Sequence, residues 1–257
     1  MSENKNIINE QEPQDDHMIE GRNAVLEAFR AGKTIDKLYI QDGLRDGVIS
    51  SILRDAKKKD VIVNFVSKEK LDQMSPDRKH QGVMAITAAF SYAEVDDILE
   101  KAKEKGEDPF IFILDEIEDP HNLGAIIRTA NLAGAHGVII PKRRAVGLTA
   151  TVAKTSAGAI NYTPVAKVTN LTKTMKELKE KGLWFVCADM GGESMYKLNL
   201  TGPIGLVIGN EGEGVSRLVK ETCDFVASIP MKGDIDSLNA SVATGVLAYE
   251  IVRQRLG

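Results

Sequence analysis

The sequence predicts an α/β protein whose larger sheet is mostly parallel. From Met18 onward, short apolar runs rich in β-branched residues alternate with segments of helical apolar spacing, and several later runs are followed at once by small and polar residues. Strands that alternate with helices indicate a parallel sheet, whose ligands bind outside the carboxyl ends of the strands. We therefore expect the functional side chains in the turns that follow these strands.

The first α/β unit is predicted to span residues 17–90, a length that is small but can fold alone. Residues 1–16, which precede it, are acidic and non-periodic and are predicted to form a disordered tail. Within the unit, apolar spacing predicts the helices and β-branched runs predict the strands. The predicted helices cover residues 21–30, 48–59 and 68–74, and the predicted strands cover residues 37–40, 61–66 and 83–87.

Residues 91–107 carry alternating acids and lysines, and we interpret them as a linker or as an exposed helix from Glu94 to Lys105 that ends at Gly106. The second α/β unit is predicted over residues 108–257. Its predicted strands lie near residues 110–114, 137–140, 184–188, 204–208 and 225–229, and its last helix covers about residues 239–255.

Composition and charge limit the function classes. The chain has 257 residues, of which 43% are hydrophobic and 27% charged, as in soluble globular proteins. No apolar run approaches the roughly 20 residues that span a bilayer, and the start lacks a signal-peptide pattern. Cys187 and Cys223 form no C-x-x-C pair and have no histidine nearby, so we expect reduced thiols, a cytoplasmic protein and no metal site.

The net charge of −4 is unevenly distributed along the chain. Residues 1–20 hold six acids and one base, whereas residues 21–90 hold 13 Lys and Arg against nine Asp and Glu. The first unit therefore has a modest basic bias, which permits contact with RNA but does not require it.

The first candidate motif follows the predicted strand at residues 110–114. Pro120 ends that strand and forces an extended or turn geometry on Asp119. Asn122 is then a good N-cap for a helix. On that helix Gly124 and Arg128 are four residues apart and share a face, so that a cation would lie beside a gap where a ligand backbone can approach. The alternative is a capped helix with a solvated arginine.

The second motif is a glycine-rich loop after the predicted strand at residues 204–208. Its spacing, G-x-x-G-x-G from Gly209, matches neither the dinucleotide fingerprint nor a phosphate-binding loop. Missing side chains let backbone groups meet a ligand directly. Glu211 and Glu213 would repel an anion, so that a cationic or neutral adenosine-type ligand fits better. The alternative is a plain turn.

The third motif follows the last predicted strand. Ile229 and Met231 lead to Ser237, Leu238 and Asn239, and either Ser237 or Asn239 can cap the final helix. No metal-ligand cluster, G-x-S-x-G elbow or Cys–His pair accompanies these motifs, which argues against hydrolysis by those routes. We interpret His80 and His121 as structural or surface residues.

Taken together, residues 122–128, 209–214 and 237–239 resemble the three motifs of the SpoU (TrmH) family of RNA ribose 2′-O-methyltransferases, within the SPOUT superfamily. The resemblance covers about residues 108–257. The first unit, with residues 21–25 near its start and residues 80–83 near its end, resembles the substrate-binding domain of the RlmB-like branch. That branch methylates a guanosine of 23S rRNA in the ribosomal P loop.

The resemblance implies an α/β-knot fold with a deep trefoil knot and a homodimer with its active site at the interface. It also implies S-adenosyl-L-methionine as the cofactor, bound largely through backbone groups. The implied cofactor-binding residues are Gly209, Asn210, Glu211, Gly212, Gly214, Ile229, Met231 and Leu238.

By the family pattern Arg128 engages the phosphate and the hydroxyl of the target nucleotide, and Asn122, Glu211, Ser237 and Asn239 complete the pocket. Because a guanidinium with a pKa above about 12 rarely loses its proton, either Arg128 orients a phosphate that accepts the hydroxyl proton, or Glu211 accepts it. Three alternative functions stay open: 2′-O-methylation of tRNA, methylation of an rRNA adenosine, and a non-catalytic role in RNA binding or ribosome assembly.

Overall fold

The computed structural model describes residues 18–75, 77–235 and 237–257. The predicted acidic tail at residues 1–16 lies outside the described residues. The chain forms two compact units, and the boundary falls between Ala88 and Ala89.

The first unit is a four-stranded sheet with three helices, in the strand order β1-β4-β2-β3. Strands β2 and β3 are parallel, and β4 pairs antiparallel with both β1 and β2. The predicted helices are confirmed to within one residue, but the three-residue strand β1 was not predicted. The elements are β1 (Met18–Glu20), α1 (Arg22–Arg30), β2 (Ile35–Gln41), α2 (Gly47–Lys58), β3 (Ile62–Val66), α3 (Lys68–Met74) and β4 (Val83–Thr87).

Helix α2 shows why this unit folds as its sequence predicts. Asp46 caps the helix, and its side chain accepts hydrogen bonds from the backbone N–H groups of Val48 and Ile49. Ile49 and Ile52, three residues apart on one face, are almost fully buried in the core beside the sheet. Capping and helical apolar spacing therefore agree.

The second unit is a six-stranded sheet in the order β10-β8-β9-β5-β6-β7, and every neighbouring pair is parallel. This confirms the predicted parallel sheet, although the four-residue strand β7 was not predicted. The strands are β5 (Phe110–Asp115), β6 (Gly137–Pro141), β7 (Val165–Val168), β8 (Trp184–Ser194), β9 (Ile204–Gly209) and β10 (Phe225–Ser228). The helices are α4 (Val95–Lys105), α5 (Pro120–Leu132), α6 (Ala150–Thr155), α7 (Leu171–Glu180), α8 (Arg217–Thr222) and α9 (Ala240–Leu256).

Both faces of this sheet are covered, as a parallel sheet requires. On one face Phe112 of β5 and Leu206 of β9 belong to a core shared with α5 and α9. On the other face Ile113 of β5 belongs to a core shared with α4, α7 and α8. Strands β5 and β9 are the two central strands of this sheet and are buried along their whole length. Their carboxyl ends therefore lie at the centre of the edge at which the parallel strands end.

Of the two interpretations of residues 91–107, the helix is the one that the structure confirms. The alternative helix is present as α4, which begins after Glu94 and ends at Gly106 in a left-handed conformation. Ile98 and Ala102 on this helix are buried, because the helix covers one face of the parallel sheet. The segment is therefore part of the second unit.

Within the described part of the chain, none of the helices is both long and apolar enough to cross a lipid bilayer. Cys187 is buried, Cys223 is partly buried, and both are free thiols.

Candidate active site

A cavity of about 220 Å³ opens beside three neighbouring strands, β8, β9 and β10, and the start of α9. The walls come from the middle of β8, the loop after β9 and the segment that joins β10 to α9. All eight residues predicted to hold a cofactor line this cavity: Gly209, Asn210, Glu211, Gly212, Gly214, Ile229, Met231 and Leu238.

The glycine-rich loop after β9 turns back on itself. The Asn210 side chain accepts hydrogen bonds from the backbone N–H groups of Gly212 (2.9 Å) and Glu213 (2.7 Å). A Cβ atom on Gly209 would lie 2.0 Å from the carbonyl carbon of Gly214. Gly214 itself has φ of +70°, a conformation that favours glycine. Glycines at 209 and 214 are therefore required for the turn that forms one wall of the cavity.

Three polar side chains from distant parts of the sequence meet at the loop. Asn122 of α5 donates a hydrogen bond to Oε1 of Glu211. Nδ2 of Asn239 lies 3.0 Å from the same Glu211 oxygen and 3.0 Å from Oδ1 of Asn122. This Asn122–Glu211–Asn239 cluster joins the start of α5, the β9 loop and the start of α9.

The prediction that Asn122 caps α5 is wrong. Asp119 is the N-cap, and its side chain accepts a hydrogen bond of 2.8 Å from the backbone N–H of His121. Pro120 occupies the first helical position, which it favours because it has no N–H to satisfy. Asn122 consequently lies inside the first turn, buried, with its amide directed to Glu211 and Asn239.

Asn239 is confirmed as the cap of the final helix, because its side chain accepts hydrogen bonds from the backbone N–H groups of Ser241 and Val242. Ser237, the other candidate cap, is exposed and lines the cavity instead. Asn239 thus uses its oxygen to begin α9 and its amide nitrogen to hold Glu211.

The predicted gap beside Gly124 is absent. A Cβ on Gly124 would lie 1.8 Å from Oγ1 of Thr155, so this glycine allows α6 to pack closely on α5. Arg128 on the same helix is exposed and makes no hydrogen bond or ion pair within the described ranges. It does not line the cavity, since six residues past Asn122 it is about 9 Å along the helix and on another side. The structure of one chain does not bring Arg128 to the cluster.

The cavity is acidic. Asp189, Glu211 and Glu213 line it, and no Lys or Arg is among the described residues that do so. Lys220, whose Nζ lies 2.7 Å from Asp189, holds the pKa of the Asp189 carboxyl below its usual range. Arg144 is not part of the cavity lining. The pKa of its guanidinium is raised, first by Glu116 and then by Glu213. This charge distribution favours a cationic or neutral ligand over an anion.

The sequence prediction missed the wall that β8 contributes, namely Ala188, Asp189 and Met190. A signal was present, because Asp189 follows the buried run at residues 185–187. Small and polar residues after an apolar strand marked the other walls of the cavity, and the same pattern could have identified this one.

Two family profiles match the chain. The profile described as the SpoU rRNA Methylase family matches residues 109–249. The profile described as RNA 2′-O ribose methyltransferase substrate binding matches residues 18–93.

Relatives and solved structures give the same result. The chain is 51% identical over 244 residues to the protein YacO of Bacillus subtilis (strain 168), named a putative TrmH family tRNA/rRNA methyltransferase; the match covers 94% of this chain and 97% of YacO. It is also similar to the SpoU methyltransferase AviRb from Streptomyces viridochromogenes in complex with the cofactor AdoMet (TM-score 0.60, 26% identity, 93% of this chain and 90% of AviRb). The A. aeolicus TrmH/SpoU tRNA modifying enzyme matches 62% of this chain and 84% of its own, at 28% identity and a TM-score of 0.53.

Proposed function

Because this chain belongs to the SpoU family of S-adenosyl-L-methionine-dependent RNA methyltransferases, we propose that it methylates the ribose 2′-hydroxyl of a guanosine in 23S rRNA. The observation that carries this proposal is the position of the Asn122–Glu211–Asn239 cluster, whose Glu211 also lines the cavity. We further infer that the second unit contains the trefoil knot of the family and that the protein acts in the cytoplasm, where its RNA is found.

The cavity fits the cofactor. Its lining combines backbone groups of the glycine loop with apolar side chains such as Ile229, Met231 and Leu238, as an adenosine and a methionine chain require. Its carboxylates suit a positively charged sulfonium, and its lack of described cations makes it unsuited to a phosphate. When bound, S-adenosyl-L-methionine supplies an electrophilic methyl group.

The residues of this chain have to orient the ribose hydroxyl and remove its proton. Oε1 of Glu211 is held by two amide groups, those of Asn122 and Asn239. Its other oxygen, Oε2, has no hydrogen bond to the described residues and is free to accept a proton. We therefore favour Glu211 as the proton acceptor and assign Asn122 and Asn239 the role of fixing its orientation. Ser237, on the cavity wall, would contact the substrate ribose.

We infer that Arg128 acts at the active site of a second copy of the chain. Helices α5 and α9 pack against each other, and large apolar side chains on both are exposed: Leu132 by 64%, Val242 by 50% and Tyr249 by 52%. Val242 and Tyr249 are seven residues apart on α9 and therefore share one face of that helix, and exposed apolar side chains on one face mark association surfaces. In a homodimer formed on this face, the Arg128 of each copy would lie at the Asn122–Glu211–Asn239 cluster of the other copy. There it would bind a phosphate of the substrate.

The first unit supports rRNA as the substrate. The A. aeolicus tRNA modifying enzyme matches only 62% of this chain, whereas residues 18–93 match a dedicated substrate-binding profile. Methylation of tRNA is the second candidate, because the relative from Bacillus subtilis is named for both RNA classes.

Methyl transfer from labelled S-adenosyl-L-methionine into unmodified 23S rRNA and into unmodified tRNA, followed by nucleoside digestion, tests the proposal. We expect label in 2′-O-methylguanosine at one position of 23S rRNA. Label in tRNA alone would replace the proposed substrate with the second candidate. No label in either RNA or in ribosomal particles, with the cofactor still bound, would favour a non-catalytic RNA-binding protein.

Replacing Arg128 tests its role. We expect Arg128→Ala to keep the fold and cofactor affinity but to lose at least about 10²-fold in rate, the scale of a positioned group in proton transfer. Arg217→Ala, which removes another exposed arginine of the second unit, is the control and should keep its rate. Near-normal turnover by Arg128→Ala would exclude Arg128 from the mechanism.

A further inference from the structure

The two cysteines of the chain have no role in the proposed reaction, yet they lie in the same core of the second unit. Cys187 belongs to β8 and is fully buried. Cys223 directly follows α8, is partly buried and packs against the same core as Cys187. Two nucleophilic side chains from distant parts of the sequence therefore meet on one side of the parallel sheet.

An ion pair holds together the two elements that carry these cysteines. Nζ of Lys220 on α8 lies 2.7 Å from Oδ2 of Asp189 on β8. Side chains two residues apart on a strand point to the same side, so Asp189 shares a side of β8 with Cys187. Cys223 lies one helical turn after Lys220, and its backbone N–H donates a 3.0 Å hydrogen bond to the Lys220 carbonyl. The ion pair therefore brings the two thiols to face each other.

The two thiols also interact directly. A hydrogen bond between them, and then the charge of Lys220, lower the pKa of the Cys187 thiol. The same hydrogen bond, together with burial, raises the pKa of the Cys223 thiol, so the pair loses one proton more readily than two. A thiolate in contact with a thiol is the arrangement from which a disulfide forms, because the thiolate is the nucleophile.

The cysteine pair lies behind two walls of the cavity that we assign to the cofactor. Cys187 is followed directly by the β8 wall, residues 188–190. Helix α8 begins at Arg217, shortly after the glycine-rich loop that forms another wall. Asp189, which Lys220 binds, itself lines the cavity. A movement of β8 relative to α8 therefore moves two walls of the cavity relative to each other.

We propose that Cys187 and Cys223 form an oxidative modification site, at which a hydroperoxide converts the two thiols into a disulfide that lowers the affinity of the cavity for S-adenosyl-L-methionine. A disulfide bond is much shorter than a contact between two thiols. Its formation therefore pulls β8 and α8 together and changes the shape of the cavity beside them. This inference rests on the proposed position of the cofactor, but it does not depend on which RNA is the substrate.

The reaction balances with a hydroperoxide as the oxidant. Cys223, the less buried thiol, passes its proton to Cys187 and attacks the peroxide. An S–O bond forms, the O–O bond breaks, and the alkoxide that leaves takes up a proton to become an alcohol. Cys187 then attacks the Cys223 sulfur, the S–S bond forms, and the displaced hydroxide leaves as water with the Cys187 proton. Each sulfur loses one electron, and the peroxide gains two.

Intact-mass and calorimetric measurements on the full chain test the proposal. After treatment of the reduced wild type with tert-butyl hydroperoxide, we expect a mass loss of about 2 Da and no free thiol. We also expect S-adenosyl-L-methionine affinity to fall about tenfold. Dithiothreitol should restore the mass, the thiols and the affinity.

The matched control is Cys223→Ser, treated in the same way, which cannot form the bond and should keep its affinity. It also reports oxidation of Met190 and Met231, which line the cavity. A methionine sulfoxide adds oxygen to the mass and needs its own reductase for repair, so reversal by dithiothreitol separates the two modifications in the wild type as well.

The outcomes separate this inference from the proposed function. A wild type that keeps both thiols while its methionines oxidise, or a disulfide that leaves cofactor affinity unchanged, would overturn the inference. An equal loss of affinity in Cys223→Ser would also overturn it, by assigning the effect to the methionines. If the reduced wild type binds no S-adenosyl-L-methionine, the proposed cofactor cavity fails and the inference fails with it. If the redox response is as expected but no RNA is methylated, the proposed function fails and the inference holds.

Discussion

The two units carry clefts of opposite charge. The cavity of the second unit is lined by three carboxylates and, among described residues, by no Lys or Arg. The basic cleft of the first unit is lined by one carboxylate, that of Asp72, and by four cations, those of Arg22, Lys68, Arg78 and Lys79. A sulfonium cofactor favours carboxylates and a polyanionic RNA favours cations, so the linings of the two clefts suit ligands of opposite charge.

The clefts also arise from different topologies. In the parallel sheet of the second unit, all strands end at one edge, and the middle of β8 together with the segments after β9 and β10 lines one cavity, as is usual for such sheets. The sheet of the first unit is mixed and has no common carboxyl edge. Its cleft depends instead on a loop held by His80. The position of a residue near the carboxyl end of a strand therefore predicts the site of the second unit, but it does not predict the cleft of the first unit.

The substitution with the largest expected effect, Gly209→Ala, acts on the cavity of the second unit alone. In Gly209→Ala the new Cβ would lie 2.0 Å from the backbone of Gly214, so the loop has to move. We expect S-adenosyl-L-methionine affinity to fall about 100-fold, as overpacking of up to about 3 kcal/mol allows, with RNA affinity unchanged. Calorimetric titration measures both.

The matched control is Gly212→Ala in the same loop, where the nearest atom to a new Cβ is 3.6 Å away. It should bind the cofactor nearly as well as the wild type. Equal losses in the two variants would show that the loop does not depend on the close approach at Gly209.

The corresponding substitution in the first unit, Gly82→Ala, affects the basic cleft. Gly82 has φ of +79° and lines this cleft, and a Cβ there would lie 2.2 Å from Cδ1 of Leu44, so Gly82→Ala should disturb the cleft wall. Because the first unit matches a substrate-binding profile, we expect RNA affinity to fall about fivefold, the equivalent of about 1 kcal/mol. Cofactor affinity should stay constant. Gly43→Ala, with the same conformational penalty (φ of +80°) but no neighbour within 4 Å, should leave RNA binding intact. A loss of cofactor affinity in Gly82→Ala would contradict the separation of the two sites.

A substitution with a smaller expected effect tests whether the negative charge of the second unit's cavity contributes to cofactor affinity. Glu213→Gln should weaken S-adenosyl-L-methionine about threefold, because one exposed charge on the cavity wall contributes less than about 1 kcal/mol to the binding of a cation. S-adenosylhomocysteine, whose sulfur is uncharged, should bind equally to both proteins. Glu221→Gln, an exposed carboxylate outside the cavity, is the control. An equal change for both ligands would show that Glu213 acts through shape rather than charge.

The smallest effect is a pH dependence of the second unit. Burial lowers the pKa of His136, so the folded state keeps it neutral while the unfolded state takes up a proton below about pH 6.5. The free energy of unfolding should therefore decrease as pH falls from 7.5 to 5.5, and less so in His136→Asn. Urea unfolding followed by Trp184, the only tryptophan, reports this unit. The same pH response in both proteins would assign it to other groups.

Much of the fold was predictable because it is encoded locally. Helices α1, α2 and α3 were placed to within a residue, since capping and apolar spacing act over a few residues. The strands that the prediction missed, β1 and β7, have three and four residues. Such short strands depend on pairing with β4 and β6, and that pairing leaves no strong local signal.

The site was predictable in part for the same reason. Motifs that follow buried parallel strands converge at one sheet edge, and the eight cofactor residues that the family resemblance implies line one cavity there. Two local predictions are wrong, however. The sequence predicts Asn122 as a cap, although Asp119 caps the helix, and it predicts a ligand gap at Gly124, although Thr155 fills that space.

By itself the sequence determined the class of fold and the parallel sheet, because burial and turn chemistry depend on near neighbours, and its resemblance to a family supplied part of the cavity lining. Only the tertiary structure decided what the polar side chains do. The partners of Asn122 are 89 and 117 residues away along the chain. A hydrogen bond over that separation exists only after the order of the strands has placed α5, the β9 loop and α9 side by side. No pattern within a single segment contains that information.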